Sequence, residues 1–151
     1  MIFFSCLAIL AIIAGGVVSA FSAKKPTRFM MWMTAYLVLI AGIVQIGLIF
    51  GWYLLDIAFT APVIIAFILY NLGNISVIIG RAMKGKKSWA RYAVYAGGVA
   101  LGIAMIILGI QSMTVELSVT HGVLLAYIAV ILITMPIGLV LSARSHRNNQ
   151  I

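Results

Sequence analysis

The amino-acid sequence predicts an all-α membrane protein, a bundle of five transmembrane helices with its N-terminus outside and its C-terminus in the cytoplasm. Three observations predict it. Apolar residues fill 65% of the 151 positions and charged residues 8%, against roughly 45–50% and 25% in soluble domains. That is too little charge to cover a surface facing water. The apolar residues gather in five runs of about 20 residues, and each run, as a helix, spans about 30 Å of hydrocarbon. The loops between the runs alternate in the sign of their charge.

The runs are 2–21, 29–50, 57–79, 92–110 and 122–141, followed by a polar tail over 142–151, and together they form one integral membrane domain over 1–151. None contains Asp, Glu, Lys, Arg or His. Backbone groups in lipid must be satisfied within their own segment, so each run is expected as a helix. The first run resembles a signal peptide in having Ser19-Ala20 and Ser22-Ala23 near its end. Met1-Ile2-Phe3-Phe4 lacks the basic start of such a peptide, so an uncleaved anchor is expected.

The first basic loop carries Lys24, Lys25 and Arg28, the second carries Arg81, Lys84, Lys86, Lys87 and Arg91, and the tail carries Arg144 and Arg147. These are all ten Lys and Arg of the chain; the other two loops hold its only acids, Asp56 and Glu116. Basic loops stay in the cytoplasm, and five helices with this alternation satisfy that rule throughout. The net charge of +8 is therefore spread in short blocks along one membrane face. It does not form a folded basic surface, which argues against nucleic acid as a partner. The expected partners are the bilayer and, at the cytoplasmic face, anionic lipid headgroups. Compactness and charge bias together point to a multi-pass protein of the bacterial cytoplasmic membrane.

Aromatic residues mark the two interfaces. Trp32, Trp89 and Tyr92 follow the basic loops, and Trp52 and Tyr53 close the second run, as rings with a polar edge do at headgroup level. Trp32, Asp56 and Arg81 parallel Trp89, Glu116 and Arg144, but topology rules acting on unrelated segments account for the likeness.

Few polar residues lie inside the runs. Asn71 and Asn74 share a helix face with Phe67 and Tyr70. Counting 1.5 Å per residue from the acidic side puts Asn71 and Thr134 at similar depth, which allows a bond between them across the bundle. Gln45 lies nearer the acidic side. These four are the candidate binding residues, either as glue between helices or as the lining of a path. Pro136 removes a donor inside the fifth run and is the candidate hinge. Gly98 and Gly102 form one GxxxG step and Gly47 and Gly51 another, which suits close packing within the chain or between copies.

Catalytic and metal chemistry have little support. Asp56, Glu116 and His121 are metal-ligand types on one expected side, but their spacing matches no metal motif, and interfacial placement is the expectation. Cys6 is the only cysteine, which excludes an intrachain disulfide or a thiolate cluster, and a buried thiol is expected. No phosphate loop, zinc-binding His pair or Ser/His/Asp set is present, so no cofactor and no enzymatic activity are expected. The reading that remains is a structural, accessory or interaction subunit acting through helix contacts, as a homo-oligomer or in a larger membrane complex. Its alternative is an oligomeric transporter or channel subunit lined by Gln45, Asn71, Asn74 and Thr134.

Overall fold

The computed structural model describes residues 1–114 and 118–147, with side chains as far as residue 134. Glu116 and the side chains of Pro136, Arg144, His146 and Arg147 lie outside the described residues, and with them the kink expected at Pro136.

The described residues form helices and no strand. We number the helices α1 (Ile2–Lys24), α2 (Arg28–Leu54), α3 (Ala61–Ala82), α4 (Ala90–Ser112) and α5 (Val119–Arg147). Helices α1 to α4 are each long and apolar enough to cross a membrane, and the described apolar part of α5, Val119–Thr134, is shorter. A helix start needs acceptors for its orphan amides. Thr27 supplies one to α2, its hydroxyl accepting from the Met30 amide at 3.1 Å. Ser118 does the same for α5, accepting from the His121 amide at 3.1 Å. Pro62 sits in the first turn of α3, where its missing donor costs nothing.

The expected start of the third helix needs correction. Positions 57–60 are apolar enough to continue the run but do not belong to α3. The chain leaves α2 through Asp56, which adopts a positive φ of 50°. Thr60 is extended before Ala61. The apolar side chains of this link are spent on packing instead: Phe59 stacks on Phe67 at 5.5 Å between ring centroids and meets Phe4 at 6.2 Å.

Neighbouring helices run antiparallel, and glycine sets their closest approaches. Between α1 and α2, Gly15 faces Val38 and Gly42 faces Ile12. The most intimate seam joins α3 to α4. A Cβ on Gly97 would come within 2.6 Å of the Gly73 carbonyl oxygen, and one on Gly80 within 2.7 Å of the Ala90 carbonyl oxygen. The backbones touch there directly, which gains van der Waals contact along the seam. Ser76 adds a hydrogen bond across the same seam, its hydroxyl donating to the Ala93 carbonyl at 2.9 Å. Helix α5 packs on both α4 and α2: Ile128 lies at Gly109, Tyr127 at Gly47 and Leu124 at Gly51.

The bundle is apolar on its outside. Ile9, Ile13 and Val17 on α1, Leu39, Ile43 and Phe50 on α2, Ile68, Leu72 and Ile75 on α3, and Val99, Ile103 and Ile106 on α4 are all exposed. Gln45, Asn74, Ser112 and His121 are buried. A domain that folds in water sorts its side chains the other way.

Candidate functional site

The site begins with an irregularity in α2. From Tyr36 to Val44 its backbone widens into a π-helix, in which amides bond five residues back instead of four. Such segments redirect carbonyls and are frequent at functional positions. Three neighbouring helices hold this segment. From α3, Tyr70 donates to the Ile40 carbonyl, and Asn74 accepts from the Tyr36 hydroxyl at 2.8 Å. From α5, Tyr127 donates to the Val44 carbonyl at 3.3 Å. At the far edge, Gln45 donates through Nε2 to the Phe4 carbonyl of α1 at 2.8 Å. The polar groups of four helices thus converge on one stretch of α2.

The junction retains hydrogen-bonding capacity. Asn74 Nδ2, Gln45 Oε1 and Thr34 Oγ1 are buried and have no partner among the described residues.

The four candidate binding residues part company. Gln45 and Asn74 join the junction. Asn71 instead donates from Nδ2 to the Phe67 carbonyl of its own helix at 2.8 Å. Thr134 is exposed and donates to the Val130 carbonyl at 2.8 Å. The Asn71–Thr134 bond that their depth allows is not formed: both residues are satisfied one turn back on their own helices, the usual local alternative for short polar side chains. Of the candidate glycines, Gly47 and Gly51 pack under Tyr127 and Leu124, whereas a Cβ on Gly102 would meet nothing within 4 Å. Gly98 is buried, but the close backbone contact of α4 runs through Gly97.

A stack of side chains connects the junction to the basic end. Tyr36 lies against Trp32 at 4.9 Å, Trp32 stacks on Phe29 at 6.1 Å, and the Arg81 guanidinium sits 4.7 Å above the Trp32 ring. Partial burial, and then the neighbouring Arg81 charge, hold the Lys84 ammonium below its ordinary value.

At the opposite end, His121 lies in the first turn of α5 and is 2% exposed. This corrects the expectation of an interfacial loop histidine. Neither ring nitrogen has a partner among the described residues, and the same holds for Trp52 Nε1. Asp56, by contrast, is exposed, so these two metal-ligand types lie in different surroundings. Among the described residues no three His, Cys, Asp or Glu side chains gather as a metal site. Cys6 is exposed on α1 and not buried as expected.

Comparison with protein-family models, curated proteins and solved structures finds no match to this chain. The residues themselves therefore carry the functional argument.

Sequence reasoning missed the three tyrosines of the junction. A signal was available, because a phenol buried in an apolar run needs an acceptor for its hydroxyl, and Tyr36, Tyr70 and Tyr127 all lie in such runs. The π segment itself left no mark beyond Gly42, since its apolar residues suit either kind of helix.

Proposed function

We propose that this protein is a multi-pass component of a bacterial-type cytoplasmic membrane, acting as a structural, accessory or interaction subunit through helix contacts. Its basic end faces the cytoplasm and the Asp56 turn faces outside. The charge alternation of the loops supports that orientation, and the apolar exterior supports insertion.

One observation carries the choice of a helix-contact role over conduction: the polar side chains of the spans bond to their own bundle. Gln45 and Asn74 fasten α1 and α3 to α2, while Asn71 and Thr134 are satisfied on their own helices. A transport path needs polar groups turned towards a cargo, and pumps and proton-coupled carriers commonly place carboxylates in the span. The runs of this chain hold none.

The test is reconstitution into liposomes alongside light scattering in mild detergent. The reading predicts no saturable solute uptake that depends on Asn74 or Gln45, and a defined particle larger than the 16.3 kDa chain. Saturable flux abolished by Asn74→Leu or Gln45→Leu, in protein that stays folded, would establish the transport alternative.

A further inference from the structure

The lysine turn between α3 and α4 has a fixed shape. Gly85 adopts a φ of 77°, a conformation that side-chain-bearing residues rarely reach. The amides of Lys86 and Lys87 both donate to the Met83 carbonyl, at 3.0 and 3.2 Å. Lys84, Lys86 and Lys87 therefore project from one tight, hydrogen-bonded turn and not from a loose tail, and all three are exposed.

Arg81, stacked on Trp32 of α2, joins this turn to the loop between α1 and α2, which carries the exposed Lys24, Lys25 and Arg28. The two basic loops consequently form one patch. Asp56 belongs to the link at the opposite end of the helices. The depth of the patch is marked by rings: Trp89 and Tyr92 are exposed beside it, and the Arg91 guanidinium lies 4.9 Å above the Tyr92 ring. Amphipathic rings of this kind settle at headgroup level.

We propose that this patch is a docking surface for anionic phospholipid headgroups, with the Lys84–Lys87 turn as its main recognition element. The inference rests on the bilayer reading above. A dense sheet of phosphates at the depth of Trp89 complements the turn's clustered ammonium groups. The short links between helices hold the patch in the membrane plane, where lipid is the adjoining partner. Attraction of this kind falls off within a Debye length, so it acts only on charges held close to the surface, as these are.

The experiment uses the full chain with Trp32→Phe and Trp52→Phe, leaving Trp89 as the fluorescent reporter beside the turn. It is reconstituted into phosphatidylcholine vesicles containing phosphatidylglycerol, with one or the other lipid brominated to quench nearby tryptophan. The proposal predicts an apparent preference for phosphatidylglycerol of about fivefold or more, falling towards parity in the combined K84Q, K86Q and K87Q variant and at high salt. Lipid carried through purification by the unmodified chain gives a second readout, enriched in phosphatidylglycerol over the bulk membrane and less so in the triple variant. Equal quenching by both lipids overturns the proposal, as does a preference that survives the triple substitution. Absence of quenching by either lipid instead overturns the bilayer reading beneath it.

Discussion

The Tyr36 hydroxyl and the Asn74 carboxamide oxygen meet at 2.8 Å between α2 and α3, at the point where the π segment of α2 begins. Tyr70, one turn away on α3, holds the Ile40 carbonyl of the same segment. The wide turn of α2 is thus braced by side chains from a neighbouring helix, and its geometry follows from the bundle as much as from its own residues.

This bracing predicts a coupling. Tyr36→Phe and Asn74→Leu should each destabilise the bundle, and their effects should be less than additive. A double-mutant cycle read from reversible unfolding in mixed micelles should give an interaction of about 0.6 kcal/mol, and at most about 2. Strictly additive losses would mean that the bond contributes nothing in the folded protein.

Glycine substitutions should separate the real seam from the apparent one. Gly97→Ala forces a Cβ against the Gly73 carbonyl and should cost about 1–3 kcal/mol, as overpacking does. Gly102→Ala meets open space and should be neutral or stabilising by up to about 1 kcal/mol, from helix propensity. Thermal stability in detergent measures both. If Gly102 lines a contact between copies, its substitution should lower oligomer mass while leaving the fold intact.

The intramembrane amides should differ in weight. Gln45→Leu removes the tie from α2 to the Phe4 carbonyl and should loosen α1, raising hydrogen exchange along 2–24 by about fivefold or more for a loss of about 1 kcal/mol. Asn71→Leu and Thr134→Val, which lose only bonds to their own helices, should change stability by less than about 0.5 kcal/mol. Equal effects at all three positions would contradict the placement of Gln45 in the junction.

His121 gives the opposite sign. Among the described residues neither imidazole nitrogen has a partner; a buried polar group in that state carries its full desolvation penalty, and an apolar residue of similar size relieves it. His121→Leu should therefore leave stability unchanged or raise it by about 1–3 kcal/mol in detergent unfolding. A fall of more than about 1 kcal/mol would show that the imidazole has a partner that matters to the fold.

Much of the architecture is legible in the residues because long apolar runs separated by charged links leave few ways to place a helix. Length and apolarity mark α1 to α4, and the loop charges give the alternation on which the proposed orientation stands. The misses have physical causes. Positions 57–60 are as apolar as a helix start, but their side chains serve a link, with Phe59 packed on Phe4 and Phe67. Depth along a helix paired Asn71 with Thr134 while leaving out the direction in which each side chain leaves its axis. A GxxxG pattern on α4 pointed to Gly98 and Gly102, whereas the register of α3 against α4 places Gly97 at the contact. His121 follows a short polar link, where composition suggests water, yet it is buried in the first turn of α5. No pattern of apolar residues distinguishes a π turn from an α turn, so the junction emerges only when the four helices are assembled.

Alternating passage of five helices through a bilayer can be read out by membrane-impermeant thiol labelling. With Cys6 replaced by alanine, single cysteines are placed at Lys86 and at Asp56, and intact cells are compared with opened ones. The cysteine at position 56 should label in intact cells, and the one at position 86 only after opening. Labelling of both from the same side would contradict alternating passage.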